Sequence, residues 1–411
     1  MVVKCQADVT RLAFEDECLT AIDLPKDTLR LTRGPGSGLA RRAGDPPGKF
    51  WAIGDRGPNL KVELAVGRYG LQDLDRFAEL DGAKIMPRLD IGPSISELLV
   101  DGDRVTCVRT FLLRDRAGRP LTGAPIPGDF SEPAFTLEGA PIAPDPRGAD
   151  TEGIVAAADG TFWVADEYGP SLLHVASDGI VIARWVPKGT GHWFAGADYP
   201  IVEALPAIAV RRQLNRGFEG LTLSPDEAAL FAAFQSPLAW PDKAAHRRAR
   251  HVRIWKICLV SASVIAEYLY PMDPPDSFKR DAASGPVRRR DLKVSEIVAL
   301  GGNRLLVLER GSATTKLYKV NAGPRRMVGA RYRDDAHQPS LETMSGEDRL
   351  DKDIPVLVKK LDFSTDDHPE IGPDLEGMVA FDKNTLLLVN DNDFGIEGRK
   401  TEFWRVILEN K

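Results

Sequence analysis

Apolar positions in this chain come in short runs, each led by a turn signal and closed by polar residues. Lys49–Ile53, Thr161–Ala165, Ala229–Phe234, Arg304–Leu308 and Thr385–Val389 read as half-buried or buried strands. Second strands follow most of them at Leu172–Ala176, Val252–Ile257, Lys316–Val320 and Glu402–Leu408. Helical periodicity is scarce, with short helices expected near Ile201–Arg212 and Tyr69–Ala78. Many short strands separated by turns define an all-β chain, and a repeating unit narrows the choice to a β-propeller.

The unit is an acidic residue, a strand, a tight turn, a second strand, and another acidic or amide residue. It runs from Glu152-Gly153 to Asp166-Glu167, from Glu219-Gly220 to Gln235, from Glu296 to Glu309-Arg310, and from Glu376-Gly377 to Asn390-Asp391. Hairpins beginning near positions 37, 96, 152, 219, 296 and 376 give a period of about 60–80 residues, longer than the usual propeller blade. The excess fits long loops at Pro120–Gly148, Pro187–Arg212, Pro271–Arg290 and Arg333–Pro373. Six blades are expected, seven if a loop hides strands. The whole chain then forms one domain, with N-terminal and C-terminal strands closing the ring.

Turn placement sets an expected register. Centring hairpins on Asp159-Gly160, Gly302-Asn303 and Lys383-Asn384 puts Glu152 opposite Glu167, Glu296 opposite Glu309, and Glu376 opposite Asp391. Directly opposed carboxylates repel, so their repetition points to a cation or polar ligand. The first strand of each blade lines the central channel. Asp55, Glu152, Asp166, Glu167, Glu219, Glu296, Glu309, Glu376, Asn390 and Asp391 therefore form an expected metal-ligand ring at one mouth. Hard oxygen ligands without clustered Cys or His favour Ca²⁺ over zinc or copper. Among them Glu152, Glu167, Glu219, Glu376 and Asp391 are the candidate catalytic residues. The glycine after each glutamate marks a bulge, a close backbone approach, or simple crowding at the axis.

Candidate substrate contacts are Arg56, Arg216 and Arg310, whose guanidinium forks suit anions or neighbouring acids. Tyr168 at a turn and His192 in a long loop join them. Strand alternation sends Glu309 and Arg310 to opposite faces, with Glu309 expected in the channel. No nucleophile elbow, phosphate-cradling glycine loop or HExxH is present, which argues against a serine-hydrolase mechanism.

Composition changes little in this picture. Gly (37) and Pro (30) are frequent enough to supply many turns. A net charge of −6, with no aromatics interleaved among the arginine clusters, argues against a nucleic-acid partner. No run approaches the roughly 20 apolar residues of a membrane span, so a small anionic or ester substrate is the expected partner. Cys5 and Cys18 are free thiols or, in an exported protein, a bridge. The first residues lack a basic-then-apolar leader, so the expected setting is cytoplasmic, or periplasmic or secreted if the chain is a processed form.

The segments FWAIGDRGPN (Phe50–Asn59), DTEGIVAAADGTFWVADEYGPSLLHV (Asp150–Val175), NRGFEGLTLSPD (Asn215–Asp226), VSEIVALGGNRLLVLERG (Val294–Gly311) and DLEGMVAFDKNTLLLVNDNDFG (Asp374–Gly395) together resemble the phytase-like family, whose label is esterase-like activity of phytase. The resemblance implies a β-propeller, and metal-dependent hydrolysis of phosphoesters or related esters at the acidic residues. The chain departs from the repeat in its first hairpin, where Ser37-Gly38 stands in place of Glu-Gly. Two other readings of the same ring are a Ca²⁺-dependent lactonase or arylesterase propeller and a non-catalytic ligand-binding propeller.

Overall fold

The computed structural model describes residues 7–128, 131–347, 350 and 354–409; Cys5 lies outside them. Five antiparallel sheets radiate from one axis. Blade 1 is Gly38–Ala40, Lys49–Ile53, Ser94–Asp101 and Arg104–Leu112. Blade 2 is Thr151–Ala156, Phe162–Asp166, Ser171–Val175 and Val181–Pro187, extended by Ile201–Leu205 in parallel. Blade 3 is Phe218–Leu223, Ala229–Phe234, His251–Cys258 and Ser263–Pro271. Blade 4 is Lys293–Ala299, Arg304–Arg310, Thr315–Asn321 and Lys359–Ser364. Blade 5 is Leu375–Ala380, Thr385–Asn390 and Phe403–Leu408, completed by Ala7–Leu12. The ladder from Ala7↔Leu408 to Leu12↔Phe403 joins the two ends of the chain inside this last blade.

The innermost strands of the five blades lie side by side in a closed circle. The described residues thus make five blades where six were expected. The difference lies at residue 96: Ser94–Asp101 pairs with Lys49–Ile53 and is the third strand of blade 1, not the start of a new blade. The outer strand of blade 4, Lys359–Ser364, lies inside the segment read as loop. The expected helix at Ile201–Arg212 is a strand followed by a 3₁₀ turn, Ala207–Arg211. Pro200 and Pro206 bracket that strand; neither can donate a backbone hydrogen bond, and each holds its preceding residue extended. Helix Val62–Gly67 and the turn Gln72–Phe77 replace the helix expected at Tyr69–Ala78.

The core sits between neighbouring blades. Phe218, Phe234 and Trp255 pack edge-on or tilted at centroid separations of 4.6–5.8 Å, within the range favoured by aromatic quadrupoles. At the axis the packing is backbone on backbone. A Cβ on Gly38 would stand 2.4 Å from the carbonyl oxygen of Glu152, and one on Gly153 would stand 2.3 Å from that of Glu219. One on Gly220 would meet Ile297 N at 2.8 Å. Each glycine accepts the next blade's strand where any side chain would push it away.

This contact predicts a sharp contrast. Gly153→Ala should destabilise the protein by about 1–3 kcal/mol through overpacking at the axis. Gly67→Ala, with nothing within 4 Å of its added Cβ, should leave stability unchanged or slightly raised. Urea unfolding of the two variants checks this; equal midpoints would show that the axial contact is soft.

Candidate active site

The inner strands begin at the same end of the channel, and each of blades 2 to 5 carries a β-bulge there. The ladder shifts between Thr151 and Ile154, Phe218 and Leu221, Val294 and Glu296, and Leu375 and Gly377. The bulge changes the expected register. Glu152 drops out of the ladder instead of facing Glu167, and Thr151 faces Asp166; Glu296 faces Leu308 and Leu375 faces Asn390. Glu152, Glu219 and Glu376 sit within the bulges and turn toward the axis. Beyond the ladder, Glu167 N–H donates to the Asp150 carbonyl (2.8 Å) and Asp391 N–H to that of Asp374 (3.2 Å). These closures bring the residue after each second strand to the same mouth.

Two carboxylate triads result, sharing Glu152: Asp150, Glu152 and Glu167, and Glu152, Glu219 and Glu376. Within each, one oxygen per residue lies within 4.8 Å of the others. Glu167 and Glu219 are each 1% exposed, and Glu152 8%. Both Glu167 oxygens and Glu219 Oε2 are buried without a hydrogen-bond partner. Glu219 Oε1 accepts from Gln235 Nε2. Burial, reinforced by the Glu219, Asp150 and Glu167 charges, lifts the Glu152 carboxyl well above its ordinary range. Burial and Glu167 push Glu219 up to about 8, and burial and Asp150 push Glu167 up to about 7. Asp150 rises to about 6 through burial, against the pull of Arg56. On the blade 5 to blade 1 side, burial and Asp393 bring Asp391 to about 7, and burial with the Asp391 charge raises Asp55 strongly. So many carboxyls cannot ionise together without counter-charge. The donor set is all oxygen, and three of its oxygens are buried and unpartnered; it fits a hard divalent cation such as Ca²⁺.

Several expected ligands are engaged elsewhere. Asp166 is saturated: Oδ1 accepts from the Asp150 and Tyr168 N–H groups, and Oδ2 from Ser171 and from Arg184 Nη2 at 2.6 Å. Glu309 points away from the channel: the bulge in the inner strand sets Val294 and not Glu296 opposite it, and alternation along its own strand puts Arg310 on the other face. It accepts from Tyr270 Oη (2.7 Å), Asp273 N–H (2.6 Å) and Lys359 Nζ (2.6 Å) between blades 3 and 4. Glu296 is buried in the channel wall, its Oε1 taken by the Leu221 and Ile297 N–H groups and its Oε2 buried without a partner, and it belongs to neither triad. The Asn390 amide is spent on the Asp391 and Lys400 carbonyls and the Glu402 N–H.

Of the expected substrate contacts, Arg56 is buried, paired with Asp150 (2.9 Å) and Glu132 (2.8 Å), and donates to Asn215 and to Tyr168 Oη. Tyr168, 2% exposed, lies beneath it and passes its hydroxyl to the Gly123 carbonyl; burial, not a place at the mouth, fixes its role. Arg310 donates to Ser295 Oγ (2.8 Å), Asp374 (3.2 Å) and Glu376. His192 is exposed on the turn Gly191–Phe194, outside the cluster. Arg216 remains available, half-buried at the mouth with Nη1 unpartnered.

The sequence reading missed Asp150, Glu132, Gln235 as a partner of Glu219, and Lys293. Burial and the charges of Arg310 and Arg216 press the Lys293 ammonium down to about 7. Asp150 had a signal: Asp150-Thr151-Glu152-Gly153 matches Asp374-Leu375-Glu376-Gly377. At the opposite end of the channel, a cavity of about 460 Å³ is lined by Ala40, Ala156, Leu223, Ala299 and Ala380. Its Arg41 and Arg42 are committed to the Phe381 and Ala157 carbonyls.

A family model described as Phytase-like, esterase-like activity of phytase, matches residues 34–394. An "Uncharacterized secreted protein" of Arthroderma benhamiae is 30% identical over 300 residues, 64% of this chain and 55% of the relative; the chain spans about half the length of that relative. Among solved structures, the PQQ-bound aldose sugar dehydrogenase of Streptomyces coelicolor aligns with a TM-score of 0.34 and 12% identity, over 98% of this chain and 99% of that one. A gluconolactonase of Xanthomonas campestris aligns with a TM-score of 0.29 and 10% identity, over 77% and 69%.

The raised carboxyls set a pH dependence. In cation-free protein they keep protons that the unfolded chain, with ordinary glutamate values near 4.5, has released. Stability should therefore fall as pH rises from about 5 to about 8. Glu219→Gln, which keeps the Gln235 contact but removes a charge, should flatten the upper part of that fall and raise the melting temperature at pH 8. Thermal melts with chelator across this range test it; a flat profile would mean the cluster is neutralised within the protein.

Proposed function

The chain belongs to the phytase-like family, and on that premise we propose that it is a cation-dependent hydrolase of phosphoesters or related esters working at the acidic mouth. The observation that carries the reading is the pair of buried triads sharing Glu152, with the unpartnered oxygens of Glu167 and Glu219 among them. Glu152, Glu167, Glu219, Asp150 and Glu376 would hold the cation, Ca²⁺ being the best match to an all-carboxylate set. When bound, the cation supplies Lewis-acid polarisation of a phosphoryl or carbonyl oxygen and activation of water.

The chain's own residues do the rest. Arg310 holds Glu376 and Asp374 in place from blade 4, and Gln235 orients Glu219. Asp391, outside both triads and brought to about 7, would accept a proton from the attacking water, while Asp55 beside it keeps its own proton. Buried walls keep bulk solvent from the carboxylates, which strengthens every charge interaction made there. Among the described residues no helix is long and apolar enough to cross a membrane. The relative named as secreted supports export as the setting, where calcium is abundant enough for a site of modest affinity.

Metal analysis of the purified protein, with melting in chelator and in added Ca²⁺, is the first test. Stoichiometric Ca²⁺ is expected, with stabilisation of about 2.7 kcal/mol at a hundredfold excess over Kd. Glu152→Gln should abolish both that response and phosphoester turnover while leaving the fold intact. A protein that takes up no cation and ignores Ca²⁺ would leave a non-catalytic binding propeller as the better reading.

A further inference from the structure

The carboxylates fill one part of the mouth, and a second group, all basic, stands beside them. Arg310 is committed to Ser295, Asp374 and Glu376. Arg216 and Lys293 are not: neither side chain hydrogen-bonds or ion-pairs within the described protein, and Arg216 Nη1 is buried without a partner. Both are nonetheless held in place by backbone. Arg216 follows Asn215, which takes the left-handed conformation (φ 54°) and accepts from Arg56. It precedes Gly217, where any Cβ would stand 2.4 Å from the Glu167 carbonyl oxygen, so the loop is pinned over Glu167. Lys293 begins the inner strand of blade 4, its Cα paired with that of Arg310. The next N–H, of Val294, donates to the Gln235 carbonyl at 2.8 Å, and the Gln235 side chain in turn holds Glu219.

Two different blades therefore bring uncommitted cations to the same side of Glu167 and Glu219. Neither hydrogen-bonds to those acids; each feels their attraction through space and is opposed by burial and by Arg310, and Lys293 is opposed by Arg216 as well. Basic side chains crowded beside Arg310, with donors left free and with their nearest acids the ones that would hold a cation, match an oxyanion with several acceptor oxygens. Resting on the hydrolase reading above, we propose that Arg216 and Lys293 hold the free oxyanion of the substrate, so that the site takes phosphoryl esters and not uncharged lactones. Arg216 would supply directional donors and Lys293 a point charge.

The probe is inorganic phosphate, titrated calorimetrically into the Ca²⁺-loaded full chain against a matched chloride control. Wild type should bind saturably. Arg216→Ala and Lys293→Met should each weaken binding about tenfold or more, the loss expected for a charge-assisted hydrogen bond. Lys293→Arg should recover most of it. Calcium stoichiometry and melting temperature, measured on the same samples, separate a lost contact from a lost fold. Unchanged phosphate affinity in both variants, or no phosphate binding by calcium-loaded wild type, would overturn the assignment. If wild type takes up no calcium, the hydrolase reading falls, and the same comparison on cation-free protein decides the anion pair alone.

Discussion

Everything at the acidic mouth depends on how closely five inner strands can approach one axis. They meet backbone to backbone, glycine against the neighbouring glutamate's peptide, at Gly38, Gly153 and Gly220. That contact fixes the peptide of Glu152, Glu219 and Glu296, and with it the direction each side chain must leave the strand. The carboxylates are therefore not drawn together by any attraction of their own. Core packing between blades drives the strands inward, and the acids are carried along at an electrostatic cost that burial magnifies. A cluster assembled this way is pre-organised by apolar packing far from it, and burial and mutual charge raise its carboxyls instead of letting all of them ionise.

The protein neutralises some of these acids and leaves others bare, and the difference defines the site. Asp166 and Glu167 are consecutive. Asp166 is enclosed by Arg184, Ser171 and two backbone N–H groups. Glu167, turned the other way by strand alternation, has no partner for either oxygen. Arg56 serves Asp150 and Glu132, and Arg310 serves Asp374 and Glu376. A purely structural acidic ring would extend such pairing to Glu152, Glu167 and Glu219, since removing a partner from a buried charge is far more costly than never burying it. Glu167 has both oxygens without a partner and Glu219 one, which sets them apart from the fully paired Asp166 beside them.

Much of this was legible in the order of residues. Alternating runs, Asp-Gly turns and the repeated Glu-Gly marked a propeller, and the acids of blades 2, 3 and 5 could be placed at one mouth. The register was not legible, because a bulge shifts the side-chain phase by one residue and leaves no compositional mark beyond the glycine itself. In blade 4 that shift sets Val294 instead of Glu296 opposite Glu309, and the pairing that put Glu309 in the channel is lost. The blade count failed for a related reason: Ser94–Asp101 has the same alternation as an inner strand, and only its pairing with Lys49–Ile53 shows that it is a third strand. Lys293 and Glu132 were invisible because each acts through neighbours from another blade or a long loop.

Five blades also make the mouth unequal around its circumference. Blade 1 contributes Ser37 instead of an acid, and blade 4 folds Glu296 back onto the Leu221 and Ile297 N–H groups. The shared triads draw on blades 2, 3 and 5. The bare cations come from the approach to blade 3 and the start of blade 4, beside Glu219 and away from Asp55 and Asp391. A symmetric ring of five carboxylates would hold an ion but could not orient anything bound to it. Losing two acids and gaining two basic side chains on one arc, with Asp391 and Asp55 on another, charges the mouth unequally around its circumference. Such a polarity is what the proposed hydrolytic site would use and what a structural ion site would not need.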